Sequence, residues 1–401
     1  MSTYVGTVQR AGSRLVEPTS VGSIGVTLGV IAFVLAIPPI AARSPLWPIL
    51  VGIVAMLFGI VAASRGAHRV GFGAIAAGVL GAGLAVLATR SSTAHLNQVF
   101  TASLIASMLV FATPLTFGAL GGIFSERSGV VNIGLEGMML MGAFWGIWGA
   151  DKTGSWVWGV LIAMASGGAL ALVHAFFAIH LRADQIVGGV AVNFLALGIT
   201  GYFFVQLYHG DNVPTGVSQI PTVNLAKDSS HSFFADSFGH LNLMIWVAIL
   251  LVPLSYVALF KTPIGLRIRA CGEHPRAADT VGIDVYAVRY ASVIVSGMLA
   301  ALGGAFLSVG FVGTFNENMT AGRGFIALAA LIFGNWRPFG AFGAACLFGF
   351  STALAFRLPA YSSSAATLFQ ILPYVLTLVA VAGVIGRTIP PAADGRPYKK
   401  Q

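Results

Sequence analysis

An all-α polytopic transmembrane bundle of about twelve helices is predicted by three observations: a large excess of apolar over charged residues, apolar runs of membrane-spanning length, and basic residues gathered on one side of those runs. Hydrophobic residues make up 57% of the chain and charged residues 9%, whereas a soluble domain carries about 25% charged residues. A bilayer core of roughly 30 Å takes about 20 apolar residues per helix.

Runs of that kind occur in order at 21–42, 46–63, 70–89, 98–120, 129–150, 156–180, 186–208, 242–260, 289–312, 324–335, 338–356 and 367–386. The tenth is short and reads as a broken or half helix. The first follows Arg10 and Arg14, and its length favours a retained anchor over the 7 to 15 apolar residues of a signal-peptide core. The first three runs hold few polar groups, so residues 1–97 are expected to form an appended lipid-facing unit, followed by a core at 98–387 and a disordered, Pro-rich basic tail at 388–401.

Alternating the runs with the N-terminus inside places 16 of the 22 Lys and Arg on the cytoplasmic side, the sense that the positive-inside rule requires. Both termini are therefore expected to be cytoplasmic. This asymmetry, with contact to anionic lipid, accounts for the net charge of +9 without a nucleic-acid partner. Cys271 falls in a cytoplasmic loop and Cys346 in an apolar run, which argues against a disulfide or metal pair. The His residues are scattered. No GxxxxGK[ST] phosphate loop, HExxH helix or GxSxG elbow occurs, so no ATP, metal or nucleophile site is expected on this chain.

Two connections are long. The outer one, His209 to Leu241, carries Pro, Gly and a Phe233–Phe234 pair, and short ordered elements are expected in it. The cytoplasmic one, KTPIGLRIRACGEHPRAADTVGIDVYAVR (261–289), contains a predicted two-turn helix. Pro275 suits its first turn and Gly282 a left-handed end, giving Pro275 to Val281. A helix so short is marginal in water and needs a surface to pack on, supplied either by a cytoplasmic partner or by the membrane domain itself.

Polar groups interrupt the stretch GALGGIFSERSGVVNIGLEGMMLMG (118–142), and polar groups inside a membrane mark functional sites or helix contacts. Helix from Val130 would put Asn132 and Glu136 on one face, either lining a pathway or clasping a neighbouring helix. Glu126 and Arg127 sit at a predicted cytoplasmic end, where mutual pairing or solvation is expected. Asn193 and Phe194 lie mid-run in IVGGVAVNFLALG, an amide beside an aromatic ring that suits a nucleobase or ordinary packing. Asn316 and Glu317 flank an outer end, where a solvated loop is expected. The 50 glycines point mainly to close helix packing, and GRGFIALAALIFGNWRPFGAFGA (322–344) looks like a discontinuous helix of the kind that lines transporter cavities.

Three blocks, ATPLTFGALGGIFSERSGVVNIGLEGMMLMGAF, GLRIRACGEHPRAADTVGIDV and GRGFIALAALIFGNWRPFGA, together resemble the permease subunits of ABC importers. The likeness is to the branched-chain amino acid and simple sugar permease group, and within it to nucleoside permeases. It spans roughly Gln98 to Arg387, and the first 97 residues depart from the compact family pattern. The resemblance implies a multi-pass protein of the bacterial plasma membrane that imports a nucleoside, working with an ABC ATPase subunit that holds the ATP, a second and different permease, and an extracellular substrate-binding lipoprotein. It also implies that Glu273, His274, Pro275, Arg276, Ala277, Ala278, Asp279 and Gly282 form the ATPase-coupling helix. The same machinery carrying a simple sugar is the nearest alternative. An ion-coupled transporter would need membrane carboxylates, for which Glu136 alone is a strong candidate, and a membrane enzyme would need a catalytic cluster that the sequence lacks.

Overall fold

The computed structural model describes residues 17–36, 46–90, 102–210, 216–225, 233–357 and 388–400. In chain order the helices are α1 (Pro18–Ala36), α2 (Leu46–Ser64), α3 (His68–Arg90), α4 (Ser103–Arg127), α5 (Leu135–Thr153), α6 (Trp156–Ala175), α7 (Gln185–Tyr208), α8 (Phe233–Phe238), α9 (Leu243–Lys261), α10 (Pro263–Glu273), α11 (Pro275–Thr280), α12 (Val285–Ala305), α13 (Arg323–Phe333) and α14 (Pro338–Arg357). Wider π-type turns extend α6 to His180 and α12 to Val312. Seven of these helices, counting the two extensions, are long and apolar enough to cross a bilayer, among them α4, α7 and α14.

Eleven of the twelve expected runs coincide with a described helix. The twelfth, 367–386, lies outside the described residues. The chain divides into two compact units, Met1–Ile105 with Ser351–Arg387, and Ala106–Phe350 with Thr388–Gln401.

In the first unit α1, α2 and α3 pack on one another through small residues. Gly52 and Gly78 face each other so closely that a Cβ on either would meet the carbonyl of the other. In the second unit α5, α6 and α12 form the packed centre. Gly304 lies against the backbone of Met139, where any side chain would displace α5 from α12.

Helix starts follow capping chemistry. Asp184 accepts from the amides of Ile186 and Val187, Asn242 from Met244, Thr262 from Gly265 and Asp284 from Ala287, each satisfying donors that a helix leaves open. The long connection between α7 and α9 is ordered where described. Thr222–Asn224 pairs antiparallel with His240–Asn242, and Asn242 Nδ2 donates to the carbonyls of Ile220 and Gly310 at 3.1 and 2.9 Å.

The expected tail disorder is corrected. Residues 388–400 lie on the second unit, with Ala393 and Tyr398 buried. Their attachments are largely backbone hydrogen bonds, which composition does not announce.

Candidate translocation core and coupling surface

The polar stretch at 118–142 forms a break between two helices. α4 ends at Arg127, Gly129 takes φ +91, and the chain runs without helix until Leu135. Asn132 and Glu136 therefore do not share a helical face, which corrects the expectation based on a helix from Val130. Ser128 and Gly129 turn the chain before it could continue as helix.

Backbone freed by such a break inside a bundle needs partners from neighbouring helices. Several such partners lie around the break. Ser125 Oγ donates to the Val130 carbonyl at 2.6 Å and Ser128 Oγ to the Ser125 carbonyl at 2.7 Å. From α7, Gln185 Oε1 accepts from the Val131 amide at 2.8 Å. From α6, His174 Nε2 lies 3.0 Å from the Val131 carbonyl, which assigns the proton to that nitrogen. Asn193 spans the start of α5: its Nδ2 donates to the Ile133 carbonyl at 3.0 Å and its Oδ1 accepts from the Gly137 amide at 2.8 Å. Asn132 is fully buried, and its Nδ2 donates to Ser296 Oγ on α12 at 2.9 Å.

Glu136 faces a second discontinuity. The half helix α13 begins after the left-handed Gly322, and the Glu136 carboxylate sits at that start. Its Oε1 accepts from Thr320 Oγ1 at 2.6 Å and from the Gly322 amide at 2.8 Å, and its Oε2 accepts from the Gly324 amide at 2.5 Å. A helix N-terminus offers open amides and a positive dipole end, so one carboxylate supplies both acceptor and countercharge.

The other end of α13 is gripped as firmly. Asn335 and Trp336 adopt φ of +54 and +53, a region that side chains rarely occupy and that persists where surrounding contacts impose it. Trp336 Nε1 donates to Glu126 Oε2 at 2.5 Å, and its carbonyl accepts from Arg127 Nε at 3.1 Å. Glu126 is 3% exposed. Mutual pairing or solvation of Glu126 and Arg127 is thus corrected: consecutive helical residues do not face each other, and these two hold Trp336 from different directions. The Arg127 guanidinium also lies 5.5 Å from the centre of the Phe260 ring and 3.9 Å from the Glu273 carboxylate.

Asn193 and Phe194 separate. The amide turns inward to the break, while the Phe194 ring is 70% exposed. Asn316 and Glu317 are exposed in a turn region. Among the described residues no group of three His, Cys, Asp or Glu could hold a metal ion.

The short helix α11 forms as its sequence dictates. Pro275 occupies the first turn of α11, and Gly282 takes φ +84 just beyond it. Its inner face packs Ala278 with Cys271, Val285 and Tyr398. Arg276, Ala277, Thr280 and Val281 on the outer face are exposed. The helix therefore rests on its own chain with one side and leaves the other open.

The family described as the branched-chain amino acid transport system permease component matches residues 104–381. This chain belongs to that permease family. Its fold of interrupted helices is accordingly that of a transport subunit, a multi-pass membrane protein rather than an enzyme. The chain is 44% identical to the guanosine ABC transporter permease protein NupQ of Bacillus subtilis over 74% of this chain and 96% of that protein. It is 39% identical to the nucleoside ABC transporter permease protein NupC of Lactococcus lactis, again over 74% and 96%. A putative glucose ABC transporter permease protein of Haloferax volcanii is 37% identical over 64% of this chain and 78% of its own length. The guanosine ABC transporter permease protein NupP of B. subtilis and the nucleoside ABC transporter permease protein NupB of L. lactis are more distant relatives, at 24% and 23% identity. No solved structure matches. The match begins at residue 104, so α1 to α3 lie outside it.

Proposed function

We propose that this chain is one of two unlike permease subunits of an ATP-driven importer that passes a nucleoside inward across the bacterial plasma membrane. The observation that carries this reading is the likeness to two nucleoside permeases along almost their whole lengths. The paired relatives in both organisms support a heterodimeric pathway. An ABC ATPase subunit binds and hydrolyses ATP, for which this chain has no phosphate loop, and an extracellular lipoprotein delivers the substrate. Both termini lie in the cytoplasm.

In this reading Asn132, Glu136 and Asn193 act on the pathway by holding its broken helices in place. Phe194 offers an aromatic face to whatever passes or packs beside α7. Glu273 to Gly282 forms the coupling element, with Arg276 and Ala277 toward the ATPase. A second reading, a simple sugar carried by the same machinery, is favoured by the glucose permease relatives, at 37% and 26% identity.

The test is uptake of labelled guanosine into proteoliposomes holding the complete importer. Guanosine uptake that stops when the ATPase phosphate loop is disabled supports the proposal. Uptake persisting on an ion gradient alone, or competed by glucose and not by nucleosides, overturns it.

A further inference from the structure

We propose that the C-terminal segment Thr388–Lys400 is a positioning strap that ties the coupling helix α11 to the two helix breaks of the membrane core. On this account, force applied at α11 reaches the core only while the strap is seated. The inference rests on the coupling role given to α11 above.

The strap touches several separate places. Near its start, the Ile389 amide donates to Asn335 Oδ1 at 3.0 Å, at the turn that ends α13. In its middle, the Ala392 amide donates to Glu273 Oε2 at 3.1 Å and the Ala393 amide to the Gly272 carbonyl at 2.8 Å, at the end of α10. The Arg396 carbonyl accepts from Arg289 Nη1 at 3.2 Å, and the same guanidinium donates through Nε to the Ser128 carbonyl at 3.1 Å, at the first break. Arg289 is 1% exposed, so both contacts are fixed within packed surroundings. At the end of the strap the Tyr398 hydroxyl faces the Asp279 carboxylate of α11, and Lys400 Nζ lies 3.8 Å from the same group. The Tyr398 ring packs 5.6 Å from that of Tyr286 at the start of α12, and the Tyr398 carbonyl accepts from the Tyr286 hydroxyl at 3.4 Å.

These contacts supply what α11 lacks. A helix of six residues does not hold its shape unaided, and it transmits displacement only if its inner face rests on something rigid. Ala278 provides one small contact on that face. Tyr398 and Lys400 grip Asp279 beside it, and the rest of the strap runs to the turns at 128–129 and 334–336. Those are the turns that set α5 and α13 in place.

The experiment uses the complete importer in proteoliposomes and reads nucleoside uptake and ATP hydrolysis in the same preparation. Deleting residues 388–401 is expected to leave the ATPase bound and active while uptake per ATP hydrolysed falls about tenfold or more. A synthetic peptide of residues 388–401 added in excess is expected to restore the ratio. Tyr398→Phe, which keeps the ring and loses only the hydroxyl that faces Asp279, is expected to lower the ratio about two- to threefold, with Tyr398→Ala falling further. If the deletion fails to accumulate in the membrane, the two Tyr398 variants carry the same reading. An unchanged ratio, or uptake and hydrolysis falling in proportion without rescue by peptide, overturns the strap. Failure of the wild-type chain to bind any ATPase would instead overturn the proposed function, so the two outcomes are distinct.

Discussion

The helices α1 to α3 and the broken elements around α4, α5 and α13 are held together by different means. Among the described residues of α1 to α3, no polar or charged side chain is buried, and contact is made by facing glycines such as Gly52 and Gly78. The region between Ser125 and Trp336 buries Glu126, Asn132, Glu136, His174, Gln185, Arg289 and Ser296. Small-residue packing is tolerant of any sequence that keeps helices close. A buried polar network is worth its full value only when each member has its partner. The first region is therefore sensitive chiefly to added bulk at its facing glycines, while the second is sensitive to single polar atoms.

The largest expected effect lies at Glu136. Glu136→Ala leaves the Gly322 and Gly324 amides and Thr320 without their acceptor, at about 1–3 kcal/mol for each buried group left open. Thermal unfolding of the purified chain should shift strongly downward and uptake should be lost. Unchanged stability would show that water replaces the carboxylate and that α13 is not held there. Trp336→Phe comes next. It removes the donor to Glu126 while keeping an aromatic body, for an expected loss of roughly 1–3 kcal/mol, again read by thermal unfolding.

How much of this was legible in the sequence differs between the same two regions. The helices α1 to α3 lie where apolar length put them, since length and composition alone decide a span. The break at 128–134 reads as helix from sequence because Val130 to Leu135 continues an apolar pattern, and Gly129 by itself does not signal a left-handed turn. The partners of the break sit on α6, α7 and α12, far away in sequence, so no local signal reveals them. Asn335-Trp336-Arg337-Pro338 did mark the end of a half helix, because Pro338 resists continuation. The strap was hidden for another reason: its bonds are chiefly made by backbone, which every sequence possesses.

Two smaller effects sharpen the contrast. Asp394 in the strap has its carboxyl pushed up to about 7, by burial first, against the opposing pull of the Gly395 amide, Arg289 and Arg127. Glu126 is its acidic neighbour. An acid whose pKa rises on docking binds more protons when docked, so docking weakens as pH climbs toward 7 and levels off above it. A spin label at residue 399 should become more mobile from pH 6 to pH 8, by an equilibrium change of roughly 1 kcal/mol, and Asp394→Asn should flatten that response. The smallest effect belongs to the first region. Ser64 Oγ donates only to the Val61 carbonyl of its own helix, at 3.0 Å and in an exposed position, so Ser64→Ala should change stability by less than about 0.5 kcal/mol. Ser296→Ala, which removes the partner of buried Asn132, should cost about 1–3 kcal/mol. Equal effects of the two serines in thermal unfolding would erase the distinction between the regions.

In the proposed importer α11 passes the work of a separate ATPase into this membrane chain. Ala278 is packed inward, so a bulky charge there would disturb the fold, whereas Ala277 is exposed and tests the outer face alone. The direct measurement is ATP-driven uptake of guanosine by the reconstituted importer with Ala277→Arg. The account predicts that uptake is abolished while the thermal stability of the chain and its level in the membrane are unchanged. Uptake at the wild-type rate would contradict it.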